Sequence, residues 1–342
     1  VKYNHLKSTG LFLLSAFIIT AIILLGFSCT GKKTDYTERN FFLMDTLITI
    51  KIPAGESSGK ILERSEGFMT ETQSLFDRYN LDSEISRLNS DLSLRVNHDN
   101  EIFILMLTAS MISQAMNKYF SVTLLPVLQF YREAGKRYEY LPYDPEELKS
   151  RTLNAKLNFI PDTNGEGLLI TLSSGSGIDL GGIAKGYVVD RTFEFLRNEK
   201  IESGLINAGG DIRVWGGKNK NRDYWVVGIQ HPLKPQGTYE YIVKLKNGAL
   251  TTSGDYERFI YVGEEQFHHI INPFTLLPSN QAHSVTVILE ENIFIRDNLF
   301  EFLESEFGTD DTPFTRSIKE SLALEPGLLL TTEADAIATA LM

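Results

Sequence analysis

Between residues 204 and 289 the chain breaks into eight short β-prone segments, and this pattern limits its fold more than any other feature. The segments are 204–206, 212–215, 225–229, 239–245, 249–252, 259–262, 267–271 and 284–289, separated by turns of Gly, Asn and Pro. Upstream, 41–52 alternates and ends at Pro53, which predicts a strand, while 60–77 and 100–117 carry apolar residues at helical spacing. A short helix begins at Asp82 or Ser83 as N-cap, and 154–159 with 168–172 reads as a hairpin around the turn cluster 162–167. A further helix opens near Gly181 and runs to Glu199. Many short strands among a few helices predict an α+β layer structure with mixed or antiparallel sheets, not a doubly wound parallel sheet. No repeat, low-complexity tract or linker interrupts 41–342.

The N-terminus reads as an address. Lys2 and Lys7 precede an apolar stretch, 11–27, broken by Ser15, Thr20 and Gly26, and Cys29 follows. Seventeen residues are marginal for crossing an apolar layer of roughly 30 Å, so a short anchor competes with a secretory signal. The chain's single cysteine favours the signal, and excludes both an intrachain disulfide and a cysteine-based zinc site. Leu25-Gly26-Phe27-Ser28-Cys29 resembles a bacterial lipoprotein signal, whose cysteine is acylated and becomes the first residue of the mature chain. The expected organisation is a signal peptide over 1–28, a polar tether over 29–40 and a folded body over 41–342. Such a chain sits lipid-anchored on a bacterial cell membrane, facing the periplasm or the outside. A net charge of −11 without a Lys/Arg stripe excludes nucleic acid as the partner.

Five places could carry chemistry. Ile178-Asp179-Leu180-Gly181-Gly182-Ile183-Ala184-Lys185-Gly186 opens a helix with glycines, so a ligand could approach backbone N–H groups where the helix favours negative charge. The same glycines could serve only to pack the helix against a strand. Asn207-Ala208-Gly209-Gly210-Asp211 and Thr251-Thr252-Ser253-Gly254-Asp255-Tyr256 are polar strand ends, equivocal by themselves. Asp335 and Thr339 lie four apart on the last predicted helix, which sets two oxygens on one face, a donor type that Mg²⁺ prefers. Of six histidines, His268-His269 stands at a strand end, where an imidazole could act as acid or base.

The order of these motifs is more specific than any one of them. Met44-Asp45-Thr46, Phe76-Asp77-Arg78-Tyr79, Asp82 through Asn89, Asp179 through Gly186, Asn207 through Asp211, Ser253-Gly254-Asp255-Tyr256, His269 through Pro273 and Asp335-Ala336-Ile337-Ala338-Thr339 follow one another. The series resembles the ApbE family, the FAD:protein FMN transferases. The resemblance implies a two-lobed α+β fold with FAD between the lobes, and Mg²⁺-dependent transfer of FMN from FAD to a threonine hydroxyl of an acceptor flavoprotein, with release of AMP. Usual acceptors are membrane-linked or exported, including subunits of the sodium-pumping quinone reductase and the Rnf complex. Two alternatives share the fold: an FAD pyrophosphatase giving FMN and AMP, and a flavin-binding lipoprotein without turnover. Carried over by position, the metal would be held by Asp335, Thr339 and the carbonyl of Gly182. FAD would contact Met44, Tyr79, Tyr119, Phe120, Ser121, Asp179, Lys185 and Ile271. The candidate base is His269, with Asp255 or Asp179 next. Asp45 stands where the family usually has Gly, Tyr119-Phe120-Ser121 where it has Ala-Phe-Asp, and Asn272 where it has Asp. The stretch 290–332 is longer than the usual link and is expected to be an insertion, and a shortened C-terminus is expected because relatives continue past Met342.

Overall fold

The computed structural model describes residues 36–97, 99–137, 148–150, 152, 154–161, 167–218, 222–256, 259–262, 265–290 and 329–342. The expected signal peptide, Cys29 and the stretch 291–328 lie outside the described residues. No helix among the described residues is long and apolar enough to cross a membrane.

The scaffold of the site is a six-stranded antiparallel sheet. Strand β1 (Tyr36–Leu43) and β2 (Thr46–Pro53) form a hairpin, with Tyr36 opposite Pro53. The alternation read as one strand is therefore two, hinged at Met44 and Asp45, whose φ values of 53° and 56° match a tight two-residue hairpin turn. The pairing takes in 36–40, which the sequence reading assigned to the tether, because β2 offers a full ladder of partners there. Ile48, Ile50 and Ile52 are fully buried while alternate residues of β2 face outward, each buried side chain contributing roughly 1.5–3 kcal/mol. Beyond β2 come β6 (Gly204–Ala208), β7 (Asp211–Trp215), β10 (Gly248–Gly254) and β13 (Ser284–Leu289).

Helix α1 (Ser58–Phe76) buries Leu62, Met69 and Phe76; α2 (Glu84–Asp91) is capped by Ser83, whose Oγ accepts from the Ser86 N–H at 3.1 Å. Helix α3 (Glu101–Ala115) is apolar nearly all round and is buried along most of its length, with Gln114 near its end exposed. A second sheet runs β3 (Ser93–Val96), β5 (Leu168–Leu172) and β4 (Leu157–Pro161), so the predicted hairpin has a third strand that four residues were too short to announce. Helix α4 (Leu125–Arg137), also unforeseen, carries Pro126 in its first turn, where a missing N–H is harmless. Two ribbons complete the sheets: β8 (Trp225–Gln230) with β9 (Tyr239–Leu245), and β11 (Phe259–Val262) with β12 (Glu265–His268).

Helix α5 (Ala184–Asn198) and α6 (Leu330–Leu341) pack against each other, and α6 also covers β10 and β13. Every strand pairing among the described residues is antiparallel, within the mixed or antiparallel sheets expected. Residues from Tyr36 onward form one compact unit, so the expected lobes are two sides of one body.

Candidate functional site

The loop 181–183, expected to be the first turn of α5, stays outside the helix, which begins at Ala184. This leaves the Gly181 and Gly182 backbone open. The Gly181 N–H donates to Asp179 Oδ1 at 2.9 Å, and the Asp179 N–H donates to the Val122 carbonyl at 2.8 Å. Asp179 is also paired with Arg78 at 2.8 Å. Arg78 and Arg132 stack on the two-fifths-buried Tyr79 ring, at 4.6 and 4.9 Å from its centroid. Thus Tyr79 and Asp179, 100 residues apart in sequence, belong to one cluster through Arg78.

Gly182 meets the last helix. A Cβ there would lie 3.0 Å from Thr339 Cγ2, 3.1 Å from Thr339 Oγ1 and 3.4 Å from the Phe120 ring. One turn earlier on α6, Asp335 Oδ2 accepts from the Gly186 N–H at 3.2 Å. Gly186 has no room for a side chain, since a Cβ would come within 2.5 Å of the Thr331 carbonyl oxygen. The helical spacing of Asp335 and Thr339 is thus matched by the spacing of Gly182 and Gly186 on the facing loop and helix.

Charge is concentrated here. Lys185 pairs with the buried Asp211 of β7. Asp335 is buried, and desolvation together with Asp211 raises its carboxyl to about 7, opposed by Lys185 and the Gly186 N–H. Behind it, fully buried Asp190 accepts from the Thr331 N–H at 3.1 Å, and from the Thr332 N–H and Oγ1 at 2.7 Å each. Arg213 lies 3.7 Å from Asp190. Burial pushes Asp190 up and Arg213 down, while each holds the other toward its charged form. Three donors on Asp190 and the nearby guanidinium oppose that burial, and the hydrogen bonds to Thr331 and Thr332 fix the start of α6.

Ser253, on β10, lies 3.4 Å from Thr339 Oγ1. Thr251, two residues before it on the same face, has a fully buried hydroxyl with no hydrogen-bond partner among the described residues. A hydroxyl, a buried carboxylate raised by a second carboxylate, an open glycine carbonyl loop and an unsatisfied hydroxyl form a hard oxygen donor set with excess negative charge. That set fits a divalent cation of the Mg²⁺ type.

A cavity of about 610 Å³ adjoins the end of α6, lined by Tyr131, Asp255, Phe267, His268, Ser279 and His283 among others. Ser279 Oγ donates to the carbonyl of Met342, which ties the cavity wall to the end of α6. Asp255 Oδ2 meets His283 Nδ1 at 2.8 Å. The sequence reading passed over His283, since a lone histidine before a strand carries no signal until Asp255 is seen beside it. His269 is exposed, one residue past β12, and His268 rather than His269 is among the cavity residues.

The flavin-contact candidates divide. Phe120 is buried and touches the Gly182 loop, and Tyr119 is half-exposed with its edge on Phe274, ring centroids 5.0 Å apart. Ser121 Oγ lies 3.0 Å from Thr123 Oγ1. Met44 sits in the β1–β2 turn, and Ile271 is buried with Tyr131 and Leu276 under the cavity. The structure brings Tyr79, Asp179, Phe120, Gly182, Lys185, Asp335 and Thr339 into one chain of contacts, and sets Asp255 and Ile271 around the cavity at its end.

The family model described as the ApbE family matches residues 44–298. The chain is 26% identical over 245 residues to an FAD:protein FMN transferase of Klebsiella pneumoniae, covering 68% of this chain and 74% of that protein. It is 28% identical over 271 residues to one of Haemophilus influenzae, covering 76% and 75%. The crystal structure of the ApbE protein of Thermotoga maritima superimposes with a TM-score of 0.66 at 25% identity, over 89% of this chain and 85% of that one. The flavin transferase ApbE of Vibrio cholerae shares the fold, with a TM-score of 0.63 at 21% identity over 90% and 86%. The family match ends before α6, so the roles of Asp335 and Thr339 rest on their packing against Gly182 and Gly186.

Proposed function

The chain belongs to the ApbE family, and from that premise we propose that it is a transferase moving FMN from FAD to a threonine hydroxyl of an acceptor flavoprotein, with a Mg²⁺ ion at Asp335, Thr339 and the Gly182 carbonyl. The observation that carries this reading is the meeting of Gly182 with Thr339 and of Gly186 with Asp335, which joins regions about 150 residues apart around a negatively charged oxygen cluster.

The reaction breaks the pyrophosphate of FAD. The threonine oxygen attacks the phosphorus of the FMN half, a new P–O bond forms, and AMP leaves with the electrons of the broken P–O bond. Bound in this cluster, the cation would offset the charge of the pyrophosphate and of the departing phosphate. Lys185, beside Asp211, supplies the positive charge that holds the anionic linkage in place, and Tyr79, pressed by Arg78 and Arg132, offers a flat face to a ring system. The acceptor proton passes to a general base, a role worth typically 10²–10⁴-fold, for which His269 is the candidate and Asp255, oriented by His283, the next. The acceptor is a membrane-linked flavoprotein. Acylation at Cys29 holds the enzyme on the same membrane, facing the periplasm or the outside.

The test is incubation of the full chain with FAD, Mg²⁺ and a candidate acceptor, followed by intact mass of the acceptor and assay of AMP. One FMN added per acceptor, lost with Asp335→Ala or chelator, is the expected result. AMP release without acceptor modification would replace transfer by hydrolysis, and FAD that persists intact would overturn both.

A further inference from the structure

The ribbon of β8 and β9 plays no part in the site. One face, made of Trp225, Val227, Val243 and Leu245, packs on β7 and β10 through Ile212, Val214 and Leu250. The other face has no cover among the described residues. Registration sets Val226 opposite Lys244 and Gly228 opposite Ile242, so these four share that outer face. The Tyr239 ring lies over Gly228, where a Cβ would come within 2.4 Å of it; the glycine makes room for an aromatic plate that is itself 60% exposed. Beside it Ile242 is 68% exposed, and Leu233, in the ribbon's turn, 70%.

Charge runs against the rest of the chain here. The described residues of 218–247 hold five Lys or Arg and two acidic side chains, although the whole chain carries −11. Lys244 lies 5.0 Å from the centre of the Tyr224 ring. Tyr36, the first residue of β1, packs edge-on against Trp225 of this ribbon, centroids 5.0 Å apart, and its hydroxyl donates to the Gly217 carbonyl. Six residues separate Tyr36 from Cys29, a span of at most about 25 Å when fully extended.

We propose that the outer face of this ribbon is a membrane-contact surface, with Tyr239, Ile242 and Leu233 seated among the headgroups of a bilayer and the lysines paired with anionic lipid. Exposed aromatic and aliphatic side chains ringed by lysines suit such an interface, and a neighbouring tether raises their local concentration at the bilayer. The proposal rests on the reading that Cys29 carries the anchor. It also gives the anchor an orienting partner, since a single flexible tether fixes distance from the membrane but not rotation.

The test is lysine footprinting of the full chain in lipid nanodiscs with and without phosphatidylglycerol, read by peptide mass spectrometry, with acylation of Cys29 read by intact mass. Expected is protection of Lys234, Lys244 and Lys246 in the anionic discs, with Lys60 and Lys200 unchanged, and loss of that protection in Ile242→Glu and Leu233→Glu. If Cys29 is acylated and the ribbon lysines react like Lys60, the proposal is overturned while the anchor stands. If Cys29 is unmodified, the anchor reading falls; protection on anionic vesicles then still supports the ribbon, and none overturns it too. Protection that needs added acceptor flavoprotein overturns the lipid assignment in favour of a protein partner.

Discussion

Asn in place of Asp335 separates the proposed cation from the fold proposed to receive it. Burial, with Asp211 alongside, raises the Asp335 carboxyl to about 7. Unfolded, the same group titrates near about 3.9. A carboxyl with the higher pKa in the folded state binds its proton more tightly there. Its contribution to stability is therefore full below about pH 4 and is lost progressively up to about pH 7. The loss is roughly 1–2 kcal/mol by pH 5 and about 4 kcal/mol at pH 8 in the absence of metal. Asn has the shape of the protonated acid and can still accept from Gly186, yet has no charge to bury. In urea unfolding with chelator present, Asp335→Asn should gain about 3 kcal/mol on the wild type between pH 5 and pH 8, with Asp211, coupled to Asp335, sharing in the difference. Added Mg²⁺ at pH 8 should stabilise the wild type and leave the variant unmoved. Parallel curves for the two chains, or equal stabilisation of both by Mg²⁺, would refute the placing of a charged, cation-seeking carboxylate at this point.

Other expectations are simpler. Gly182→Ala sets a methyl 3.0 Å from Thr339, tight enough to displace the hydroxyl by a few tenths of an ångström; Mg²⁺ affinity by calorimetry should fall roughly tenfold, with stability changed by less than about 1 kcal/mol. Asp190→Asn leaves Arg213 buried without its counter-charge and should cost about 3–5 kcal/mol in chemical denaturation. Gly209→Ala meets two obstacles, a φ of +60° and the Thr46 hydroxyl 2.1 Å from the new Cβ, so the midpoint of unfolding should drop by an amount corresponding to about 2 kcal/mol or more. Tyr79→Ala removes the plate on which Arg78 and Arg132 stack, and should raise the KM for FAD more than it lowers kcat.

Local rules in the sequence determined much of this molecule. Short β-prone runs between turns of Gly, Asn and Pro marked β9, β11 and β13 at their observed ends, and the apolar spacing of α1 and α3 marked those helices to within two residues, because turn residues and a pattern that buries one face need no distant information. The order of short motifs was enough to place the chain in its family. Tertiary structure decided the rest. Whether Met44-Asp45 bends or continues depends on a partner strand being available, and a four-residue strand such as β3 exists only because β5 lies beside it. The glycines at 182 and 186 read equally well as packing or as a site until α6 came to rest on them. Asp335 is an ordinary acid on a helix face in one dimension; burial against Asp211 in three makes it a carboxylate in need of a cation. His283 and the ribbon's lysines carried no signal at all, since proximity to Asp255 and to Tyr36 is a property of the packed chain and not of its order.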